Sequence, residues 1–260
     1  MRAIAENINV MSKSIGAAMQ ERNPEPVQKL AQDCAAAGAD LLDINLGPAR
    51  KGGPELMEWM VNTIQEVTDL QLCLDTSNHE AMEAGIKVCN RPPLLNSFSA
   101  QPDKMENILP LAAKYDCEII GLTMSTHIPK DANERLGIAY ELVMAANEMG
   151  IPNSRIWIDP IVMPIGVAQD HAGPVMDVVR GLAELFEEPV QTTCGLSNVS
   201  NGAPDELRSS IERVYLPMLV ACGMTSAILN ARDPEMMRAV RLINDLNDEA
   251  LYSISDAELK

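Results

Sequence analysis

Asp75, Asn96, Asp159 and Asn198 each close a short apolar run, in the segments LCLDT, LLNSF, IWIDP and CGLSN. An ionised carboxylate accepts a fork of two adjacent N–H groups, and a primary amide presents a donor beside an acceptor. Such a set suits a flat, nitrogen-rich ring with an amino group next to a ring N–H and a carbonyl, as in a pterin. Asp43 and Asn45 end a further run (LLDIN), Thr76 follows Asp75, Ser97 follows Asn96 and Ser197 precedes Asn198. Any one of these alone reads most simply as a helix cap or the start of a turn. As a group they follow directly on strand-like residues, where a cap would stand later, in the loop.

The rest of the catalytic repertoire is thin. There is no Ser/His/Asp order and no lysine at a strand end suited to a Schiff base. His79, His127 and His171 are isolated, with neither a CxxC pair nor an HxxxH spacing, so no structural or catalytic zinc is expected. Cys34, Cys73, Cys89, Cys117, Cys194 and Cys222 are scattered singly, mostly in apolar stretches, as small buried hydrophobes would be.

To bring these residues together, the chain must return to one place many times. Short β-branched runs at 3 to 9, 41 to 46, 72 to 76, 94 to 98, 118 to 124, 156 to 162, 191 to 197 and 226 to 230 alternate with helical windows. The windows lie at 24 to 37, 54 to 68, 79 to 89, 103 to 115, 132 to 149, 173 to 187, 204 to 221 and 234 to 247. Asn23, Gly53 and Asp233 each precede a proline and read as helix starts, while Gly38 and Gly150 read as helix ends. Eight βα units can close as a (β/α)₈ TIM barrel or open as a doubly wound sheet. The first run ends in Glu6, Asn7 and Asn9 with no glycine-rich phosphate loop, and polar residues gather at the C-terminal ends of several strands, where barrels build their sites. The expectation is one α/β barrel domain over 1–260, with a loosely held tail from Tyr252 to Lys260.

Composition limits the partners. A formal net charge of −17 argues against nucleic acid and anionic membrane surfaces, and no apolar run approaches the length of a bilayer span. The chain reads as cytoplasmic and complete in itself. With 3% aromatic residues and 16 Met, the core must be aliphatic.

At this point the sequence resembles a known family, the methyltetrahydrofolate:corrinoid methyltransferases, whose barrel is the pterin-binding fold shared with dihydropteroate synthase. The resemblance runs through ENIN (6–9), DINLGP (43–48), MEWMV (57–61), LCLDTSN (72–78), LLNSFSA (94–100), GLTM (121–124), IPKD (128–131), IDP (158–160), VAQDHA (167–172) and GLSNVS (195–200). It implies that Asp75, Asn96 and Asp159 hold the pterin ring and that Asn198 lies near N5, the methyl-bearing nitrogen. It extends the substrate contacts to Asn9, Asp43, Met124, Gln169, Ser197, Arg208 and Ile228, while Gln169, Asp170 and His171 after the sixth strand read either as part of the same rim or as a helix-entry loop.

The activity implied is transfer of a methyl group between N5 of tetrahydrofolate and the cobalt of a corrinoid, in either direction, in anaerobic one-carbon metabolism. 5-Methyltetrahydrofolate or tetrahydrofolate is then a substrate. Cobalamin is brought by a corrinoid protein, either a small corrinoid protein or an iron–sulfur one, because no Asp-x-His-x-x-Gly corrinoid-binding segment is present. The resemblance also implies a homodimer. Two alternatives stand beside it. A dihydropteroate synthase would need a lysine at the end of strand seven and an Arg-x-His near strand eight, where this chain has Gly195 to Asn198 and Leu229, Asn230. A non-catalytic folate-binding barrel would have no use for Asn198. Relative to the family, Ser125 and Thr126 replace a basic residue after Met124, and the loop after Asn198 (GAPDELRSS) is longer.

Overall fold

The structure, a computed structural model, describes residues 1–247, and the tail expected at 252–260 lies outside them. Its strands are β1 (Arg2–Asn9), β2 (Leu41–Gly47), β3 (Gln71–Thr76), β4 (Leu94–Ser99), β5 (Glu118–Leu122), β6 (Ile156–Asp159), β7 (Gln191–Thr192) and β8 (Ser226–Leu229). The helices are α1 (Lys13–Glu21), α2 (Pro24–Ala36), α3 (Gly53–Gln65), α4 (His79–Val88), α5 (Pro102–Asn107), α6 (Leu109–Tyr115), α7 (Ala132–Glu148), α8 (Ile165–Ala168), α9 (Ala172–Leu185), α10 (Asp205–Val220) and α11 (Pro234–Asn247). All neighbouring strands are parallel, in the order β7-β6-β5-β4-β3-β2-β1-β8. This is a (β/α)₈ TIM barrel.

The seam between β7 and β8 closes through hydroxyls as well as backbone. Thr192 N donates to Thr225 Oγ1 and Thr225 N to Thr192 Oγ1, each at 2.8 Å, and Ser226 Oγ donates to Thr192 O at 2.8 Å. Further up, Ile228 N reaches Cys194 O at 2.8 Å. The opposite, N-terminal end is plugged by Trp157, whose Nε1 donates to Glu118 Oε2 at 2.7 Å under the Arg2 guanidinium, 4.2 Å from the ring centroid.

The helices pack by ordinary amphipathic spacing. On α3, Met57, Met60, Val61 and Ile64 are buried, and on α9, Val175, Val178, Val179 and Leu182, both sets at i, i+3, i+4, i+7. Each such side chain contributes about 1.5–3 kcal/mol when fully buried. Five of the six cysteines are buried. The capping expectations hold at Asn23 and Asp233, whose side chains accept from Glu25 N and from Glu235 N and Met236 N, while the α3 cap falls at Gly52, one residue before Gly53. Gly38 and Gly150 take φ of 95° and 83°, the left-handed conformation that ends a helix.

Three expectations need correction. The connection from β1 to β2 holds an additional helix, α1, capped by Ser12. The window 103 to 115 is two helices, because Pro110 supplies no N–H to continue the first. Strand seven stops at Thr192, and Leu196–Ser200 forms a 3₁₀ turn, so Asn198 stands on a turn.

Candidate active site

Inside the barrel a floor of apolar side chains, Ile4, Leu41, Cys73, Leu94, Ile120, Trp157 and Ile228, packs as one cluster. Strand side chains alternate faces with period two, so the next inward residue on each strand is two positions on. That step leads from Ile4 to Glu6, Leu41 to Asp43, Cys73 to Asp75, Leu94 to Asn96 and Trp157 to Asp159. The barrel therefore changes from apolar to acidic in one layer. In β1 the register shifts between Ala5 and Ile8, so one extra residue is accommodated and the parity reverses. Glu6 and Asn9 thus both line the interior although Asn9 stands an odd step beyond Glu6, with Asn7 and Ile8 between them. Asn9, Asn45, Asp75 and Asn96 are paired directly across four adjacent strands.

These residues surround a cavity of about 260 Å³ at the C-terminal mouth. Asn45 Nδ2 donates to Asp75 Oδ2 and Asn96 Nδ2 to Asp43 Oδ1 at 3.3 Å. Ile161 N donates to Asp159 Oδ1 at 2.6 Å, and Ser197 Oγ to Glu6 Oε2 at 2.8 Å. Four carboxylates share this cup, and burial dominates their titration. It pushes Glu6 up to about 7 and Asp43 and Asp159 up to about 6, and raises Asp75 well above its ordinary value, with the neighbouring Asp43 charge adding to the effect. Without a ligand the cup keeps its protons to a higher pH than exposed carboxylates do. A ligand that brings N–H donors favours the ionised carboxylates.

Asn198 sits exposed at the lip, with its amide oriented by its neighbours. Asn201 Nδ2 donates to Asn198 Oδ1 at 3.2 Å, and Arg208 Nη2 donates to Asn201 Oδ1 at 3.4 Å. With its oxygen occupied, Asn198 has its N–H groups to offer to a ligand. A Cβ on Gly195 would come within 2.9 Å of Asn198 Nδ2, so glycine at 195 makes room for the amide. Arg208 also donates Nε to Ser200 Oγ at 3.3 Å, and Ser200 in turn donates to the buried Glu212.

The loop after β6 is held from below by Arg135, which is fully buried. Its Nε donates to Pro129 O (2.7 Å), its Nη1 to Pro160 O (2.6 Å), and its Nη2 lies 2.6 Å from His171 Nδ1. Ile161 takes φ of 63°, strained for a β-branched residue, and this conformation aims its N–H at Asp159. His171 must be neutral to accept from Arg135, and burial, followed by the Arg135 charge, lowers its pKa. Between that lowered value and the ordinary one of about 6.5 the unfolded chain binds more protons. The contribution is therefore complete above about pH 6.5 and is lost as pH falls. His171→Asn, which keeps an acceptor but no titratable nitrogen, is expected to flatten this component of urea stability as pH falls below about 6.5. The difference between the two proteins isolates it from Glu6, Asp43 and Asp159, whose raised pKa values act in the opposite direction. An unchanged pH slope would refute the assignment.

Of the residues singled out from sequence, Asn9, Asp43, Asp75, Asn96, Asp159, Ser197, Asn198 and Ile228 line the cavity together. Met124, half-buried beyond β5, and Gln169, exposed before α9, do not. Asp170 is exposed and paired with Lys130, and His171 is turned inward to Arg135. Arg208 lines an adjoining cavity. Glu6, Asn45 and Gly195 join the site. Glu6 could have been found by counting two residues on from Ile4. The β1 bulge, by contrast, leaves no local mark.

The profile of a family described as pterin binding enzyme matches residues 5–230. The chain is 28% identical over 243 residues to a methylcorrinoid:tetrahydrofolate methyltransferase of Eubacterium limosum, covering 92% of this chain and 89% of that one. It is 25% identical over 248 residues to methionine synthase of Mycobacterium tuberculosis, spanning 89% of this chain but only 21% of the synthase. Among solved structures, 7,8-dihydropteroate synthase from Vibrio fischeri ES114 superposes with a TM-score of 0.74 at 15% identity, covering 96% of this chain and 94% of that one. Dihydropteroate synthase of Xanthomonas albilineans with 4-aminobenzoic acid superposes with a TM-score of 0.67 at 20% identity, covering 94% and 90%.

Proposed function

The chain belongs to the pterin binding enzymes, and from that premise we propose that it moves a methyl group between N5 of tetrahydrofolate and the cobalt of a corrinoid carried by a partner protein. The observation that carries this reading is the cavity in which Asp75, Asn96 and Asp159 face one another with the Asn198 amide at the lip. Similarity to a methylcorrinoid:tetrahydrofolate methyltransferase along nearly the whole length of both proteins supports it.

In this reading the carboxylates of Asp75 and Asp159 accept ring N–H groups, and Asn96 supplies a donor and an acceptor. Asn9, Asp43, Ser197 and Ile228 complete the walls. Toward cobalt, the C–N5 bond breaks and its electron pair remains on N5. An amine is a poor leaving group, so a donor that strengthens its bond to N5 as that charge develops lowers the barrier. Asn198 Nδ2, with Oδ1 held by Asn201, is such a donor. The corrinoid enters as a substrate at the open mouth, in the manner of a small corrinoid protein or a corrinoid iron–sulfur protein, and the barrel acts as a homodimer.

The test is direct. Purified protein mixed with methyltetrahydrofolate and chemically reduced cobalamin is expected to form methylcobalamin, or, with methylcobalamin and tetrahydrofolate, to run the reverse. If neither reaction occurs, the reading is wrong.

A further inference from the structure

Two cavities meet at Glu6 and Ser197. The first is the cup described above, and the second, of about 280 Å³, lies between α10 and the β8–α11 connection, with Arg208 and Glu212 on one wall and Asn230 and Asp233 on the other. Both Glu6 and Ser197 line both spaces, and the outer rim of the second reaches the exposed Asp205.

The other carboxylates of the cup are held by other groups: Asp75 by Asn45, Asp43 by Asn96 and Asp159 by the Ile161 and Gly195 backbone N–H groups. Glu6 is tied instead to Ser197 Oγ, in the residue that immediately precedes Asn198. The Asn198 amide polarises N5 but cannot supply or remove a proton near neutrality.

Resting on the methyl-transfer reading, we propose that the Glu6 carboxyl carries the proton between N5 and the second cavity, by way of the Ser197 hydroxyl or water. Toward cobalt, the C–N5 bond breaks, its electron pair stays on N5 and takes the proton from the Glu6 carboxylic acid, while the Co(I) electron pair forms the Co–C bond. The Glu6 carboxylate is then reprotonated from solvent through the second cavity. In the other direction the Glu6 carboxylate receives the N5 proton, the N5 pair forms the bond to carbon, and the Co–C pair returns to cobalt.

The electrostatics suit a group that must do both. Burial raises Glu6 to about 7, the Ser197 hydrogen bond pulls it down, and the facing charges divide, with Glu212 and Asp43 raising it and Arg208 lowering it. Asp205 on α10 and Asp233 before α11 line the second cavity from the outside. A carboxyl poised near the working pH is in the range where general acid–base transfer is most effective.

The experiment is methyl transfer by the whole protein from methyltetrahydrofolate to reduced cobalamin, and back from methylcobalamin, across about pH 5 to 9. For wild type the rate toward cobalt is expected to fall as pH rises through about 7, and the reverse rate to fall as pH drops through it. Glu6→Gln is expected to slow both by about 10²-fold and abolish that limb, with pterin affinity within a few-fold of wild type. Glu6→Asp should recover part of the rate, and Ser197→Ala should move the limb to higher pH, because its hydrogen bond lowers Glu6. An active wild type with an unchanged limb in Glu6→Gln overturns this inference alone, as does a loss of pterin affinity that accounts for the whole loss of rate. A wild type inactive in both directions overturns the methyl-transfer reading, and this inference with it.

Discussion

Replacing Asn198 with alanine is expected to slow methyl transfer by about 10²–10³-fold, the usual cost of removing one preorganised donor to a developing charge. Pterin affinity should change only a few-fold. The reason for the split is that N5 of a bound folate is a weak acceptor in the ground state and a strong one once the C–N5 electron pair is released, so the Asn198 bond acts in the transition state. Single-turnover rates measured alongside an equilibrium binding titration separate the two effects. Gly195→Ala is a second way to the same result. Its Cβ would press on Asn198 Nδ2 from 2.9 Å while leaving every ring-binding side chain in place, so it should lower rate by displacing the amide. If Asn198→Ala loses affinity and keeps its rate, the amide is a binding group and the mechanism has to be redrawn.

Asp75→Ala should show the opposite pattern, a loss of binding with little change in the rate of the bound complex. A carboxylate that accepts two N–H groups contributes about 3 kcal/mol, so affinity should fall by about 10²-fold. Because burial and the nearby Asp43 charge raise Asp75, its ionised form is a cost to the folded, empty protein at neutral pH. Folded carboxylates with raised pKa lose stability as pH rises through the raised value. Asp75→Asn should therefore melt higher than wild type at alkaline pH while binding pterin more weakly, which distinguishes a binding residue from a structural one. The same logic makes wild-type pterin affinity fall as pH drops below about 6, where Asp43 and Asp159 take up protons that a ligand with N–H donors must displace. Calorimetry in buffers of different ionisation enthalpy should detect protons released on binding. Zero proton release at about pH 6 would contradict this account of the cup.

Several features of the site were legible in the sequence because they follow from local periodicity. Two residues beyond Leu41, Cys73, Leu94 and Trp157 stand Asp43, Asp75, Asn96 and Asp159, and a strand can place them only on the same face as the apolar residues beneath. Eight βα units and a rim of polar strand ends were enough to expect a barrel with its site at the C-terminal mouth, and that is the architecture found.

Other features were decided only by contacts between distant parts of the chain. Asn9 reaches the interior because a bulge in β1 reverses the alternation, and the bulge exists in the pairing with β2, which a single strand's sequence does not contain. Asn198 was expected at a strand end and stands on a 3₁₀ turn, where Asn201 and Arg208 orient its amide from the loop and from α10. Met124 and Gln169 lie outside the cup because their loops follow other contacts. The Ala100 N–H holds Met124 O, and Arg135 draws His171, two residues beyond Gln169, into the interior. Glu6 acquires its raised pKa from burial beside Asp43 and Glu212, residues 37 and 206 positions away along the chain. The sequence by itself determined which face of each strand is polar, since that depends on neighbours two residues apart. Tertiary structure decided how each polar group is aimed and how strongly it holds a proton, since both depend on partners that only folding brings within reach.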